Sequence, residues 1–393
     1  YTDITDKNLK SVIFSWNGVD YTLFDSATKL LMNFDNVAAL GEDYSTPSVC
    51  PNGITACTVA TQATACLGIG DGLCKAKILD VSGNGNDGTV TGATFTTSGK
   101  YGGAFIFDGI DDYVSTRDIL ETDVGNKLTV SLWIYPTGLT VRQGIIEKWE
   151  IVNTGTFNTW ALRTQNSNPN EVSVFVATSF DGGLNYFDTT SLQLSHNTWT
   201  YLTFVYDGAQ VNANRIRVYK DGLLVSGNVI GTIPSSLNPS SQIVDIGRKL
   251  TNDLSFPHSY FNGKIDQVMI SNRALTTAEV QQLYYSNLYK YDVDKWKLEV
   301  YQGSVPNGAY TFKTSAEDKA GNLCSGVICN TGQRTVTVDL TSPSLAFVEP
   351  PTPLEGATIT SFPFPIYTDI TDKNLKSVIF SWNGVDYTLF DSA

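Results

Sequence analysis

The sequence predicts an all-β protein in which one β-sandwich is interrupted by a second and longer one. Three observations carry this prediction. Short segments that alternate apolar and polar residues are separated by turn residues along most of the chain. Tyr and Phe occur 19 times each while charged residues make up only 17% of the chain, a composition that favours strands over disorder. Finally, residues 1–27 recur without a change as residues 367–393.

Length and charge exclude several classes of partner. The chain has 393 residues, which is about two to three domains at the usual size. Its 39 acidic and 26 basic side chains give a net charge of -13, which repels phosphate backbones and anionic lipid headgroups. No apolar run reaches the roughly 18 residues of a membrane-spanning helix. We therefore expect no nucleic-acid partner and no membrane insertion.

The repeat organises the rest of the chain. Identity between residues 1–27 and 367–393 indicates a tandem duplication, so we expect the sequence to be a window on a longer array. Alternation around an Asn-Gly pair predicts a β-hairpin, which spans Ser11–Phe24 in the first copy. Three more strands are predicted near the other end, at Trp296–Tyr301, Ala309–Ala316 and Arg334–Leu340.

The segment Gly308–Asn322 resembles the late strands of immunoglobulin-like modules in bacterial and archaeal surface proteins. This resemblance implies an immunoglobulin-like sandwich that is split by an insert, so that each complete unit straddles two successive repeats. It also implies that Leu345–Val348 and Ala357–Ile366 are early strands of the next unit. The predicted parts are an early-strand hairpin, an inserted domain, the late strands, and the early strands of the next unit. Their bounds are residues 1–27, 28–285, 286–340 and 341–393.

The insert has the strand pattern of a sandwich, with a single convincing helix near its end. The clearest predicted strands are Leu128–Tyr135, Val172–Ala177, Tyr201–Tyr206 and Ile216–Val225. Thr276 and Glu279 form a Thr-x-x-Glu capping box, which predicts a helix over Thr276–Tyr285.

Six motifs of the insert resemble the concanavalin A-like, laminin-G-like family, and they occur in family order. They are Phe34-Asp35, Asp80–Gly88, Gly102–Val114, Leu128–Ile134, Phe261–Ile270 and Ala274–Tyr284. The resemblance implies a two-sheet jelly roll, so the predicted fold is a laminin-G-like jelly-roll sandwich inserted in a split immunoglobulin-like β-sandwich. An extra loop at residues 41–76, which holds four cysteines, departs from the family pattern.

The six cysteines fall in two groups, Cys324 with Cys329 and, in the extra loop, Cys50, Cys57, Cys66 and Cys74. An even number of loop cysteines indicates disulfides and an oxidising setting. Zinc is the alternative, although neither group contains a Cys-x-x-Cys pair. A Cys324–Cys329 bond is predicted, because their offset in a hairpin loop satisfies the Cα separation of roughly 4.4 to 6.8 Å. The four loop cysteines are expected to pair among themselves, with three connectivities open.

Members of the resembled family often hold a calcium ion at the rim of the sandwich. Calcium takes six to eight oxygen ligands, and acidic and amide side chains are dense in two of the motifs. The predicted ligands are Asp35, Asp80, Asn84, Asn86, Asp108 and Asp266, with Asp87, Asp111 and Asp112 close in sequence. Asp35 and Asp266 join this site only if the sheet brings the two ends of the insert together. The alternative is that these residues simply form turns.

No catalytic constellation is recognised, and the protein is predicted not to be an enzyme. Polysaccharide-cleaving relatives of the fold carry paired carboxylates about 5 to 9 Å apart. Glu147 and Glu150 come nearest, but a spacing of three directs them to opposite faces of a strand. His196 and His258 are interpreted as surface loop residues, because no nucleophile or metal-ligand spacing accompanies them.

The predicted function is that of a structural repeat of an extracellular surface fibre, filament or giant adhesin. Its partners are neighbouring repeats or subunits of the same protein, joined by strand sharing between successive immunoglobulin-like units. The alternative is an adhesion module whose laminin-G-like domain binds glycans or cell-surface proteins. Because sugar rings stack on Trp and Tyr, the aromatic candidates for that alternative are Trp149, Trp160, Tyr186 and Tyr260.

Overall fold

The structure is a computed structural model. It describes residues 1–42, 44, 66–68, 74–149, 151–152, 155–156, 159–177, 185–249, 259–324, 332–361, 363–372 and 374–391. The chain divides into two compact units. The first unit comprises residues 1–15, 19–302 and 313–332, and the second comprises residues 16–18, 303–312 and 333–393.

The strands are numbered in chain order. Strands β1 to β4 are Thr2–Thr5, Leu9–Trp16, Val19–Phe24 and Thr28–Met32. Strands β5 to β10 are Cys66–Gly68, Cys74–Ile78, Gly88–Thr91, Thr94–Thr96, Ala104–Asp108 and Tyr113–Ser115. Strands β11 to β17 are Lys127–Pro136, Gly144–Lys148, Ile151–Val152, Gly155–Thr156, Trp160–Thr164, Val172–Val176 and Tyr186–Thr189.

The second half of the chain is also built of strands. Strands β18 to β25 are Thr200–Asp207, Ile216–Lys220, Leu223–Val225, Gly227–Ile230, Asp245–Ile246, Arg248–Lys249, Ser259–Tyr260 and Asn262–Ser271. Strands β26 to β34 are Ser286–Asp292, Lys295–Val300, Gly308–Asp318, Leu323–Cys324, Arg334–Val338, Ser344–Phe347, Thr368–Thr371, Ser377–Trp382 and Val385–Asp391. Helix α1 is Thr277–Tyr284, and short 3-10 turns lie at Ala38–Leu40, Leu120–Thr122 and Asn212–Asn214. Within the described ranges, no helix has the length and apolar character needed to span a membrane.

The insert is an all-β sandwich of two sheets. One sheet has ten strands in the order β21-β17-β16-β15-β12-β22-β10-β7-β6-β5. The other has eight strands, seven of them in the order β20-β19-β18-β11-β25-β9-β8, and β4 pairs with β25 as the eighth. All four strand segments predicted for the insert lie in these sheets, and Ile216–Val225 turns at Asp221-Gly222 between β19 and β20.

The main core lies between the two sheets, because alternate residues of each strand point inward. On β15, the buried side chains of Trp160 and Leu162 belong to this core. The Trp160 ring packs 5.9 Å from the ring of Phe204 on the other sheet, and its N–H donates to the carbonyl of Thr122 at 3.1 Å. A ring enclosed in this way cannot stack on a sugar, so Trp160 is a core residue.

The first and last strands of the sandwich are neighbours. β4 pairs antiparallel with β25, placing Met32 opposite Val268 and Leu30 opposite Ile270. The sheet thus brings the two ends of the insert together, which is the condition for Asp35 and Asp266 to share a site.

The predicted helix is present as α1, and its capping box forms as expected. The hydroxyl of Thr276 accepts from the backbone N–H of Glu279 at 3.3 Å, and the backbone N–H of Thr276 donates to the Glu279 carboxylate at 2.8 Å. Arg273 holds the same carboxylate at 2.5 Å. The helix links β25, the last strand of the sandwich, to β26.

The first copy of the repeated segment is packed against the late strands. β1 is the edge of a three-stranded sheet with the order β1-β27-β26, and Ile4 lies opposite Trp296. A second sheet has the order β29-β28-β2-β3, with β30 beside β28. Leu23 and Phe24 are only 4% and 3% exposed, and the Phe24 ring lies 5.8 Å from that of Trp296.

The second copy forms the same hairpin in an exposed environment. In the second unit, β33 and β34 make a two-stranded sheet, and β31 pairs with β32 in another. The Asn-Gly turn has positive φ angles in both copies, near 50° at the Asn and 80° at the Gly. The counterparts of Leu23 and Phe24, however, are Leu389 and Phe390, which are 66% and 46% exposed.

One predicted strand differs from the structure. The resemblance to immunoglobulin-like modules implies an early strand at Ala357–Ile366, but residues 357–361 and 363–366 form none. Pro363 and Pro365 lack N–H groups at alternate positions, which removes the donors along one edge. The late strands β27, β28 and β30 and the early strand β31 lie where predicted. The split immunoglobulin-like organisation remains a prediction.

The two copies provide a matched test of burial. We expect Leu23→Ala to lower the free energy of unfolding by about 2 to 5 kcal/mol, the usual range for a buried leucine. Leu389→Ala should change it by less than about 0.5 kcal/mol, because that side chain is mostly exposed. Urea unfolding followed by tryptophan fluorescence measures both. Equal effects at the two positions would contradict the two environments.

Candidate functional site

The predicted calcium ligands lie in three places, and the first is a loop held together by its own side chains. Asp80 is buried, and its carboxylate accepts from the backbone N–H groups of Leu31 at 3.1 Å, Ser82 at 3.0 Å and Asn86 at 3.0 Å. The carboxylate therefore ties the start of this loop to β4.

The amides of the same loop also bind protein groups. Asn84 Nδ2 donates to the carbonyl of Thr28 at 2.8 Å, and Asn86 Nδ2 donates to that of Lys29 at 2.7 Å. Arg117 Nε donates to Asn86 Oδ1 at 2.7 Å. These contacts support the turn interpretation for Asn84 and Asn86, because their side chains already anchor the loop.

The second place is an acidic turn. The carboxylate oxygens of Asp108, Asp111 and Asp112 lie within 4.8 Å of one another. Burial raises the pKa of Asp112 to about 6. Asp108 is opposite Asn262, four residues along β25 from Asp266, which is about 13 Å at the usual rise. A calcium ion with ligand distances near 2.4 Å cannot bind both Asp108 and Asp266.

The third place is a pair of carboxylates, Asp35 and Asp266, under one loop. Asp266 is fully buried on β25, and its Oδ2 accepts from the backbone N–H groups of Lys100 at 2.9 Å and Tyr101 at 3.0 Å. Its Oδ1 is buried without a hydrogen-bond partner among the described residues. Asp35 follows β4, and its Oδ1 accepts from Gly103 N–H at 3.1 Å. The loop of residues 98–103 thus closes over both carboxylates.

Both carboxylates are costly to ionise where they lie. The pKa of Asp35 is raised to about 7, chiefly by burial; the hydrogen bond from Gly103 lowers it, and the charges of Glu42 and Glu299 add to the increase. Burial raises the pKa of Asp266 well above its usual range, and the charge of Asp35 adds to this. Within the described part of the chain, no Lys or Arg forms an ion pair with either group.

These features fit a hard divalent cation. Asp266 offers a buried carboxylate oxygen with no described donor, and a cation would offset the repulsion between the two carboxylates. The covering loop approaches closely only because it is glycine-rich: a Cβ on Gly102 would lie 2.4 Å from Asp35 Oδ1, and one on Gly99 would lie 3.0 Å from Asp266 Oδ2. Calcium stays a prediction, with Asp35 and Asp266 as the residues best placed to hold it.

A separate polar cluster covers the outer face of the ten-stranded sheet. Arg163 Nε donates to the carboxylate of Glu147 at 2.6 Å, and both residues are buried. The guanidinium also lies over the rings of Trp149 and Phe175, at 5.2 Å and 5.3 Å. Tyr186 extends the row, with its ring 4.9 Å from that of Phe175. We call these five residues the outer-face cluster.

A carboxylate pair that sequence reasoning missed lies beside this cluster. Glu147 is directly opposite Asp245 on β22. Asp245 is held by Arg248 Nη2 at 3.0 Å and by the hydroxyl of Ser115 at 2.6 Å. The two acids come from strands about a hundred residues apart, so no local spacing in the sequence could have linked them. Each is paired with an arginine, which favours a structural ion pair over a proton-transfer role.

Several other candidates can be placed. His196 is exposed, with Nδ1 3.2 Å from the carbonyl of Thr137. Tyr260 is half-buried on β24. His258 and Glu150 lie outside the described residues.

The cysteine predictions are only partly covered by the described residues. Cys324 ends β29 and is disulfide-bonded. Its predicted partner Cys329 lies outside the described residues, as do Cys50 and Cys57. Cys66 and Cys74 lie on β5 and β6, where the backbone register places Cys66 opposite Ala76 and Cys74 opposite Gly68. The predicted pairings remain predictions.

A family model described as the concanavalin A-like lectin/glucanases superfamily matches residues 108–281. The predicted laminin-G-like sandwich is confirmed over this range. The matched range begins at the acidic turn of Asp108, ends within helix α1 and includes the outer-face cluster. No curated protein matches the chain in sequence.

Among solved structures, domain 4 of AbnA, an extracellular arabinanase from Geobacillus stearothermophilus, is 21% identical and has a TM-score of 0.37. The match covers 52% of this chain and 91% of that one. The binding domain of Paraclostridial Mosquitocidal Protein 1 is 15% identical, with 69% and 72% coverage and a TM-score of 0.40. Trypanosoma rangeli sialidase is 12% identical, with a TM-score of 0.38; the match covers 53% of this chain but only 30% of that enzyme.

The pKa of Asp35 gives a pH-dependent prediction for calcium. Because its pKa is raised to about 7 in the folded protein, the folded protein binds more protons than the unfolded chain between about pH 4 and pH 7. Metal-free stability should therefore fall as pH rises through this window. Calcium binds the ionised carboxylates, so it should raise the melting temperature more at pH 7.5 than at pH 5.

Two substitutions make this prediction specific. Asp35→Asn should abolish the calcium-dependent shift in melting temperature, whereas Asp108→Asn should leave it unchanged. Differential scanning fluorimetry with calcium and with chelator measures both. The prediction that Asp35 and Asp266 bind calcium would be contradicted if calcium did not shift the melting temperature of the unsubstituted protein. It would also be contradicted if only Asp108→Asn abolished the shift.

Proposed function

We propose that the chain is a structural repeat of an extracellular surface fibre, filament or adhesin whose successive copies are joined by strand sharing. One observation carries this proposal. The repeated segment is buried against late strands in its first copy and exposed in its second, although the two sequences are identical. A segment that is packed in one place has the side chains to pack in the same way elsewhere.

The contacts of the first copy define what the second copy is able to make. Thr2 Oγ1 lies 3.1 Å from Thr314 Oγ1, and Lys10 Nζ lies 2.8 Å from the carboxylate of Glu317. The indole N–H of Trp296 donates to the carbonyl of Asp6 at 3.1 Å. Every donor and acceptor that the first copy supplies recurs 366 residues later, at Thr368, Asp372 and Lys376. The late strands of another copy therefore offer the second hairpin a complete set of partners.

The energetics favour docking of the second hairpin wherever a set of late strands is free. Burying Leu389 and Phe390 removes apolar surface from water, worth about 1.5 to 3 kcal/mol for each side chain. Where a first hairpin already occupies the late strands, exchange is neutral because the two sequences are identical. Strand sharing along a tandem array, or by exchange between chains, follows from the same contacts.

The remaining features are compatible with an extracellular role without catalysis. Glu147 and Asp245 each form an ion pair with an arginine, at 2.6 Å and 3.0 Å. Cys324 is in a disulfide, the state expected in an oxidising compartment.

Disulfide trapping tests strand sharing directly. We expect the double variant Thr314→Cys, Thr368→Cys to give cross-linked oligomers on a non-reducing gel, because the second hairpin of one chain meets the late strands of another. The double variant Thr2→Cys, Thr314→Cys is the matched control. It should form a bond within one chain, since the two hydroxyl oxygens lie 3.1 Å apart. If the control cross-links and the Thr314/Thr368 variant gives no oligomer, the hairpin is not shared.

A second candidate function is glycan binding by the sandwich, and the outer-face cluster favours it. Trp149 Nε1 and Arg163 Nη2 are buried without hydrogen-bond partners among the described residues. Aromatic rings and unpaired donors on one sheet face are typical of carbohydrate sites. Glycan-array binding by the full chain, weakened about tenfold or more by Tyr186→Ala, is the expected result. Absence of any binding would exclude this candidate.

A further inference from the structure

The edge of β1 is open, and a groove runs beside it. β1 is the outer strand of the sheet β1-β27-β26, so only one of its two edges is paired within the described sheet. The groove has a volume of about 440 Å³ and lies wholly in the first unit. Its lining includes Thr2, Ile4, Leu9, Thr314, Ala316 and Leu323. Leu323 is 61% exposed, which leaves part of this lining uncovered.

Hydrogen bonding shows which residues of β1 face the paired edge. In an antiparallel pair, successive residues of a strand direct their N–H and C=O groups to opposite edges. The N–H of Asp6 donates to the carbonyl of Asp294 at 2.7 Å, in the same register that places Ile4 opposite Trp296. The even-numbered residues of this strand therefore face β27. The backbone groups of the odd-numbered residues, such as Asp3, face the open edge.

The second copy of this strand uses the other edge. β32 pairs with β31, and the N–H of Val348 donates to the carbonyl of Tyr367 at 2.9 Å. Two residues along, Ala346 and Asp369 form the same kind of pair. Tyr367 and Asp369 correspond to Tyr1 and Asp3 in the first copy. Identical sequences thus pair through their odd-numbered residues here and through their even-numbered residues in the first copy.

We infer that the open edge of β1 receives the strand Ser344–Phe347 of a second copy of this chain. The register is taken from the β31–β32 pair, so Ala346 lies opposite Asp3, Leu345 opposite Ile4 and Phe347 opposite Thr2. The product is a four-stranded sheet with the order β31-β1-β27-β26, in which β31 comes from the neighbouring chain. Both edges of β1 are then paired.

The side chains of the added strand suit the groove. Opposite residues in an antiparallel pair point to the same face. Ile4 is buried and Thr2 contacts Thr314 across the groove, so the side chains of Leu345 and Phe347 point into it. Both are 64% exposed in the chain as it stands. The backbone pairing lost with β32 is regained with β1, because the sequence is the same, and burial of these two side chains is the net gain.

This inference rests on the proposed function, since it names the strand that crosses from one copy to the next. Strand addition differs from hairpin exchange in what happens to the receiving chain. In strand addition, the receiving chain keeps its own first hairpin on its late strands; in exchange, the second hairpin of another chain replaces it. Strand addition gives a sheet with the order β31-β1-β27-β26. Hairpin exchange gives the order β31-β32-β27-β26, in which β32 replaces the identical strand β1. Cross-links at different positions separate them.

Proline substitution at equivalent positions provides the first test. Asp3→Pro removes an N–H that faces the open edge, so the fold should keep its melting temperature while head-to-tail association of the full chain weakens by at least about tenfold. Asp369→Pro removes the equivalent N–H that holds β31 on β32, so it should release β31 and strengthen association. Sedimentation velocity over a concentration series measures both. Equal effects of the two substitutions would overturn the inference.

Cross-linking provides the second test. The double variant Asp3→Cys, Ala346→Cys should give disulfide-linked oligomers, because the Cα atoms of such a pair lie about 5.5 Å apart. Monomers alone, or a bond within one chain, would overturn addition from a second copy. Oligomers here but none with the Thr314/Thr368 pair would retain strand addition and reject hairpin exchange. The reverse pattern would retain exchange and reject addition.

Discussion

The pairing of β4 with β25 is the contact on which the rest of the first unit depends. It places the entry and the exit of the sandwich on neighbouring strands, about 4.8 Å apart. The hairpin leads directly into β4, and α1 leads directly out of β25. Two segments that are far apart in sequence, the hairpin and the late strands, therefore begin side by side. The same pairing brings Asp35 to Asp266.

Most of the fold could be predicted from local sequence. Alternation gave the strands of the sandwich, the Asn-Gly pair gave the hairpin, and Thr276 with Glu279 gave the helix, because each signal depends on neighbouring residues alone. The strand implied at Ala357–Ile366 by the immunoglobulin-like resemblance was wrong, and the reason is local too, because Pro363 and Pro365 have no backbone N–H to donate.

The candidate site was predictable only in part. The residue types for a cation site were visible, but their grouping depended on sheet register, which separates Asp108 from Asp266 along β25. The pairing of the buried residues Glu147 and Asp245 could not be predicted from the sequence, because they lie on strands about a hundred residues apart that only the sheet register brings together. Burial, rather than spacing, is what distinguishes Asp266 from the many turn-forming acids.

The identity of the two hairpins also bears on how the chain reaches its fold. During synthesis the first hairpin and the sandwich leave the ribosome before the late strands, and the second hairpin leaves last. The first hairpin can therefore pack on the late strands before the second hairpin exists. Refolding of the complete chain removes that order of appearance. Both hairpins are then free to reach the same late strands, and the first is held beside them once the insert has folded and β4 has paired with β25. Refolding from denaturant thus lets the two identical hairpins compete, whereas synthesis on the ribosome presents them in order.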